Sequence, residues 1–313
     1  MTNATTTNAK TNRSRPDWAT KGIDGAALEV LNCGLPATGL WSLLLGVADE
    51  RAKSRSSADL QRQWQNDRFV APAYVDQRKQ LAMDSHLLAV ASDFEALELS
   101  PLAPLGVCSA IAPTSQNRVV STMRGTEVVS DPTNVLALES ARRLRLDSAA
   151  TVKLATSHRC VRAQSLPNRP GMAAHFKLFC ITTAGHETND HNFLVNAFVE
   201  HLRFHLNAFE RLNQHGYRLH HPTVQLSVAS SRAHLVARIT AAFPNVTFEQ
   251  QLLTQDYYHG IRFTISARSP TGEDIALSDG GAFNWLEKLT ANRKMVFVAS
   301  AIGSQRAAAL FSE

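Results

Sequence analysis

The sequence predicts an α+β domain built on a mostly antiparallel sheet flanked by helices. Three observations carry this reading. Two segments look like hairpins: residues 161–162 returning through 175–183, and residues 261–267 returning through 275–277. Strand-like stretches occur in both halves of the chain with helical stretches between them, which suits helices packed on a sheet. Finally, residues 190–213 place Phe193, Leu194, Ala197, Phe198, Leu202, His205, Leu206 and Phe209 at helical spacing, a long helix with one face to bury.

The elements follow in order. Residues 23–65 read as helical, punctuated by Gly34, Pro36 and Gly39, with Leu28, Leu31, Leu40, Leu43, Leu44 and Leu60 as the buried set. A longer helix is expected over residues 75–96, carrying Leu81, Met83, Leu87, Leu88, Val90 and Ala91 on one face. It runs into an extended segment, Leu97-Glu98-Leu99-Ser100, closed by Pro101. Residues 134–146 read as a helix. Residues 166–171, with two prolines and a glycine, read as the turn of the first hairpin. Short strands are expected at 224–228 and 246–248 with a helix at 232–242 between them. Asp279-Gly280-Gly281 reads as a turn leading into a helix from about Phe283, then a buried strand at 295–299, and a last short helix after Gly303 that contains Arg306.

Composition bounds the answer. With 313 residues, 44% hydrophobic and 19% charged, the chain is of ordinary globular type and long enough to bury a substantial core. Cys33, Cys108, Cys160 and Cys180 show no C-x-x-C spacing, so neither a zinc site nor a disulfide framework is expected, and a reducing cytoplasm fits best. The net charge of +5 is spread along the chain, which argues against a clustered nucleic-acid footprint. The densest patch, Arg142-Arg143-Leu144-Arg145, reads as a solvated helix end. No apolar run approaches the roughly 20 residues that span a bilayer, so no membrane partner is expected. Residues 1–18 are expected to be a disordered tail, 19–74 a helical region and 75–313 the main domain.

Three segments, in order, resemble the three motifs of class II aminoacyl-tRNA synthetases. The helix ending in Leu97-Glu98-Leu99-Ser100-Pro101 is similar to motif 1. The hairpin from Cys160-Val161-Arg162-Ala163-Gln164 through His175-Phe176-Lys177-Leu178-Phe179 is similar to motif 2. The final strand and helix, from Val296 through Gly303 to Arg306, are similar to motif 3. Two further segments point to the histidyl-tRNA synthetase group and its paralogue, the regulatory subunit of ATP phosphoribosyltransferase. One is Ser130-Asp131-Pro132-Thr133; the other is Asp256-Tyr257-Tyr258-His259-Gly260 together with Gly280-Gly281-Ala282-Phe283-Asn284-Trp285-Leu286.

The resemblance implies a class II synthetase-like antiparallel sheet and a homodimer joined through the motif 1 region. It also implies a site for ATP, Mg2+ and an amino acid or similar carboxylate. Arg162 would face the α-phosphate, where a guanidinium neutralises charge that builds as pyrophosphate leaves. Phe176 and Arg306 would sandwich the adenine. Gln164, standing where the family has glutamate, would accept from the adenine amino group. Asp131 and Thr133 would hold the substrate amine, and Asp131 is equally placed to cap the following helix. Tyr257 and Tyr258 would line the substrate pocket, with Gly280 and Gly281 admitting the substrate close to the backbone. Leu253 stands where the family carries an arginine, and Thr182 where it carries a glutamate.

Other clusters are read more plainly. His201 and His205 have metal-capable spacing, but His205 falls on the apolar face and no metal site is expected. Residues 185–191 read as a helix-entry loop capped by Asp190. Glu127, in Arg124-Gly125-Thr126-Glu127, reads as a strand-end salt-bridge candidate. The chain closes seven residues after Arg306, so anticodon-dependent tRNA binding is not expected. The resulting expectation is an ATP-dependent ligase that adenylates an amino acid or similar small carboxylate. The alternative is a non-catalytic, amino-acid-binding regulatory subunit partnering a phosphoribosyltransferase catalytic subunit in histidine biosynthesis. A third is a structural paralogue with an empty pocket.

Overall fold

The computed structural model describes residues 21–73, 75–165 and 171–312. The tail expected at 1–18 and most of the turn expected at 166–171 lie outside the described residues. The chain divides into two compact units, Met1–Arg55 and Ser56–Glu313.

In the first unit, helix α1 (Gly25–Glu29) is capped by Asp24, whose carboxylate accepts from Ala26 N at 3.3 Å. It continues as one wide turn, Val30–Gly34, before Pro36 opens helix α2 (Ala37–Lys53). The leucines expected to be buried here are not: Leu28, Leu31, Leu40 and Leu44 are half-buried and Leu43 is exposed. The two helices among the described residues of this unit offer too little chain to enclose a core.

The second unit begins with α3 (Ser57–Asn66), closed at its N-terminus by a reciprocal cap between Ser56 and Asp59; Leu60 on this helix is exposed, not buried as expected. Helix α4 (Gln77–Val90) stops short of residue 96. Its buried face is Gln80, Met83, Asp84, Leu87 and the following Ala91, while Leu81 is 70% exposed and Leu88 is also exposed. The two polar residues displace the leucines because they have partners. Lys177 Nζ donates to Asp84 Oδ2 at 2.7 Å, and Gln80 Nε2 donates to Asp84 Oδ1 at 2.9 Å and to Ser304 Oγ at 3.3 Å. A buried charge persists where it is paired and hydrogen-bonded.

The main sheet has eight strands. They are β1 (Glu95–Ala96), β4 (Val152–Val161), β5 (His175–His186), β6 (His220–Val228), β7 (Phe248–Leu252), β8 (Ile261–Arg268), β9 (Asp274–Phe283) and β10 (Met295–Ile302). Their order is β1-β4-β5-β10-β9-β8-β6-β7. Only the outermost pairs, β1–β4 and β6–β7, are parallel; the six central strands are antiparallel throughout. Two short strands, β2 (Leu102–Pro104) and β3 (Thr126–Val128), form a separate ribbon beside helix α5 (Val107–Ile111).

Alternation along β10 sorts the two faces. Val298 and Ile302 join the core under the long helix α7 (Asn192–Gln214), with Phe198, Leu202 and Phe209. Phe297 and Ala299 join the opposite core with α6 (Pro132–Leu146) and α9 (Trp285–Thr290), through Leu136, Ala137, Trp285 and Leu286. The last helix, α10 (Ser304–Phe311), follows β10 and buries Ala307, Ala308 and Phe311 in the α7 core.

Three local expectations are corrected. Gly280 and Gly281 lie inside β9, paired with Ser300 and Ala299, and not in a turn. A Cβ at Gly280 would lie 2.3 Å from Ser300 Cβ, and one at Gly281 would lie 2.4 Å from the Ile261 carbonyl oxygen, so close approach of neighbouring strands requires both glycines. Glu127 is fully buried and, among the described residues, forms no ion pair: it accepts from Gly106 N at 2.7 Å, Cys108 N at 3.2 Å and Gln116 Nε2 at 2.8 Å, tying the ribbon to α5. At the start of α7, Glu187 rather than Asp190 caps, accepting from Phe193 N at 3.1 Å and Leu194 N at 3.4 Å.

Candidate functional site

The strands that carry the motif-like residues converge on one cavity of about 890 Å3, on the α6 and α9 face of the sheet. That volume lies within the range of small-molecule sites. Asp131, Thr133, Arg162, Gln164, Phe176, Tyr257, Tyr258, Gly280 and Arg306 all line it. Gly281 lies one layer deeper, beneath the Tyr258 ring; a Cβ there would come within 2.6 Å of Tyr258 Cδ1.

Asp131 sits at the centre of one wall. It is the N-cap of α6: Oδ1 accepts from Thr133 N at 3.0 Å and from Thr133 Oγ1 at 2.7 Å. Oδ2 accepts the Tyr257 hydroxyl at 3.0 Å. The carboxylate therefore serves the helix with one oxygen and faces the cavity with the other. Arg162, the first residue after β4, donates from Nε to the Ser130 carbonyl at 2.9 Å, and its Nη2 lies 4.0 Å from Asp131 Oδ2. Its guanidinium lies 5.1 Å from the ring centre of Phe176, which β4–β5 pairing places opposite Cys160. Arg162 is thus held from three sides.

The second wall comes from the turn before β8 and from β9. Tyr257 packs edge-on against Phe283 and Trp285, and Tyr258 against Tyr257. Both tyrosines keep their protons. Burial first, and the Asp131 charge second, push the Tyr257 hydroxyl well above the usual phenol range; burial and then Asp279 do the same for Tyr258. Arg262 of β8 forms a two-pronged ion pair with Asp279 of β9, Nε to Oδ1 at 2.8 Å and Nη2 to Oδ2 at 2.7 Å, and lies 5.2 Å from the Tyr258 ring centre. Leu253 does not line the cavity; Arg262 is the cation this part of the chain brings to it.

Arg306, in the first turn of α10, donates from Nη1 to the Ala276 carbonyl at 3.3 Å. Gly171, at φ +73°, rests on it: a Cβ there would lie 3.1 Å from Arg306 Cγ. Gln164 is half-buried at the rim. Of the four free cysteines, Cys108 lines the cavity, and burial raises its thiol pKa. Cys160 is pushed up to about 12 by burial, so neither thiol is a ready nucleophile at neutral pH.

Arg262 and Asp279 escaped the sequence reading. They are 17 residues apart, and they meet only because β8 pairs with β9 so that Arg262 lies opposite Gly281 and Asp279 opposite Thr264. The alternation Ile261-Arg262-Phe263-Thr264 was the available signal for a polar face. His201 and His205 lie away from the cavity, on the α7 face, fully buried, and share one partner. Ser300 Oγ is 2.8 Å from His201 Nδ1 and 2.9 Å from His205 Nε2. Among the described residues no group of three His, Cys, Asp or Glu side chains could hold a metal ion, and no helix is long and apolar enough to cross a membrane.

This eight-stranded sheet, with its cavity on one face and its long helix on the other, is the fold of class II aminoacyl-tRNA synthetase catalytic domains. Among solved structures, an ATP phosphoribosyltransferase regulatory subunit/histidyl-tRNA synthetase from Bacillus halodurans is similar at a TM-score of 0.60 and 12% identity, over 77% of this chain and 82% of that one. Apo histidyl-tRNA synthetase of S. aureus matches at 0.56 and 12%, over 74% of this chain and 64% of its own. This chain therefore spans less than two thirds of that enzyme. The RNA-binding domain of threonyl-tRNA synthetase from Cryptosporidium parvum matches at 0.58 and 9%, over 74% of this chain and 64% of that one. At these identities the likeness establishes the fold and leaves the amino acid open. No family model matches the sequence, and no curated protein does either.

Proposed function

We propose that the cavity binds an α-amino acid or similar small carboxylate and activates it with ATP, as a synthetase paralogue. The observation that carries this is the convergence of Asp131, Tyr257 and Arg162 on one wall, with Phe176, Gln164 and Arg306 around the same cavity. Asp131, polarised by the Tyr257 hydroxyl, is the natural partner of a substrate ammonium. Arg162 is placed to meet a carboxylate or the phosphate it attacks. Phe176 and Arg306 would hold the adenine, with Gln164 accepting from its amino group. Thr133 would help Asp131 hold the amine, and Gly280 and Gly281 act by letting Tyr258 and the neighbouring strands settle close to the sheet. The cavity brings five cations, Arg118, Arg162, Lys177, Arg262 and Arg306, against three carboxylates, Asp131, Asp256 and Asp279, a balance that favours an anionic ligand. Mg2+ would arrive on the phosphates, since this ion keeps several waters and binds through few protein carboxylates.

A second reading is supported by Arg162 itself. Its guanidinium already covers a face of Phe176 and is anchored to Ser130 O, which suits an amino-acid-binding regulatory subunit of ATP phosphoribosyltransferase, acting on a separate catalytic subunit in histidine biosynthesis. In either role we place the protein in the cytoplasm, where free thiols persist, as a homodimer through the α4 region.

ATP–pyrophosphate exchange with Mg2+, screened across the amino acids, tests the proposal. Exchange with one amino acid establishes adenylation. Absence of exchange with all, together with thermal stabilisation by an amino acid, transfers the assignment to the regulatory reading.

A further inference from the structure

We infer that the Arg262–Asp279 pair makes the amino-acid site selective for a neutral side chain that presents a hydrogen-bond acceptor and donor side by side, that is, a side-chain carboxamide. The inference rests on the amino-acid-site reading above and deepens it.

The pair is a built feature of the cavity wall. Arg262 uses its Nε–Nη2 edge for the two bonds to Asp279, at 2.8 and 2.7 Å. Its guanidinium carbon lies 5.2 Å from the Tyr258 ring centre, and Tyr258 in turn lies on Gly281, where no side chain could intervene. A guanidinium carries five N–H donors; two serve Asp279, so after a bond to the Tyr258 hydroxyl two further N–H groups stay available to a ligand among the described residues. Each Asp279 oxygen receives one Arg262 N–H and keeps a further lone pair. The Tyr258 hydroxyl lies beside both groups and takes at most one donor and one acceptor position. Arg262 and Asp279 side chains are 22% and 43% exposed, and both line the cavity.

The wall therefore offers donor and acceptor next to each other with no net charge. A carboxamide is complementary to both: its oxygen accepts from a remaining Arg262 N–H and its NH2 donates to Asp279. A side-chain carboxylate meets the Asp279 charge. A side-chain ammonium or guanidinium meets Arg262. An imidazole carries donor and acceptor on nitrogens that point apart, so it satisfies one partner and leaves the other desolvated. An aliphatic side chain leaves both desolvated. The amine end has its own partner in Asp131, one aromatic step away along Tyr257 and Tyr258, whose ring centres are 5.1 Å apart.

The test is calorimetric titration of the full chain with L-glutamine, L-asparagine, L-glutamate, L-aspartate and L-histidine, for the wild type and for Asp279→Asn and Arg262→Met. One of the two carboxamides should bind the wild type at least 10-fold more tightly than its carboxylate counterpart and than histidine. Asp279→Asn, which removes the repulsive charge and keeps the shape, should shift the amide-to-acid ratio at least 10-fold toward the acid. Arg262→Met should abolish the preference. Equal or tighter binding of histidine or of an acid by the wild type overturns the inference, and this arm needs no variant to fold. An unchanged amide-to-acid ratio in a folded Asp279→Asn protein overturns it as well. If the wild type binds no amino acid at all, with or without ATP, the amino-acid-site reading fails and takes this inference with it. Binding without carboxamide preference removes this inference alone.

Discussion

The Tyr257 hydroxyl donates to Asp131 Oδ2 at 3.0 Å, while the other oxygen of the same carboxylate caps helix α6 through Thr133. One side chain joins the cavity wall to the helix behind it, and the two roles are separable by substitution. Asp131→Asn keeps an N-cap acceptor and a partner for Tyr257, so denaturant unfolding should change by less than about 1 kcal/mol. Asp131→Ala removes the cap and leaves a buried hydroxyl unmet, for a loss of about 2–4 kcal/mol. Amino-acid affinity should fall at least ~10-fold in both, the worth of a charge-assisted contact. Full affinity in Asp131→Asn would remove the carboxylate from the amine site.

Arg162 divides the two functional readings. If it stabilises the developing phosphate charge, Arg162→Lys should lower pyrophosphate exchange by roughly 100-fold or more, because lysine cannot reproduce the planar fork. Amino-acid affinity measured without ATP should change much less. An equal loss in both measurements would instead mark Arg162 as a ligand for the amino-acid carboxylate.

The pair His201 and His205 gives a pH signature. Both are fully buried and neutral: burial lowers His205 to about 3 and, reinforced by the neighbouring His205, takes His201 well below the usual histidine range. The unfolded chain gains these protons from about pH 6.5 downward while the folded chain does not. Their stabilisation is full above about 6.5 and is lost progressively as pH falls toward the folded values. Between pH 6.5 and 5 each histidine should cost about 2 kcal/mol in denaturant unfolding. His158 and His259, also lowered by burial, add to the same limb. His205→Phe, on a face already lined by Phe204 and Phe263, should flatten the slope by one proton's worth. A stability profile independent of pH over this range would contradict the buried network.

The strand glycines should be intolerant. Gly281→Ala would set a Cβ against the Ile261 carbonyl and the Tyr258 ring, and Gly280→Ala against Ser300 and Phe263. Each should cost about 1–3 kcal/mol or more, because the Ile261 carbonyl cannot be repacked and the Ser300 Cβ and the fully buried Phe263 ring have no room to shift. Gly46→Ala in α2, with nothing within 4 Å of its Cβ, should instead be neutral or stabilising by up to about 1 kcal/mol. Thermal unfolding of the three variants checks the contrast.

Local pattern carried much of this protein. The long helix at Asn192–Gln214, the hairpin flanking residues 166–170, the β8 alternation and the Asp131 cap were each legible because periodicity, turn residues and capping act over a few residues. The resemblance of ordered motifs named the class II fold in advance. What the tertiary structure decided depends on register and partners. Gly280 and Gly281 look like a turn until β10 is seen to press on them. Asp84 is buried in place of Leu81 because Lys177 arrives from β5. Arg262 and Asp279 become a paired feature of the cavity wall only when β8 and β9 align. Short-range free energies fix an element's type, whereas the face it buries, and the polar groups worth burying, follow from neighbours that the chain supplies from far along its length.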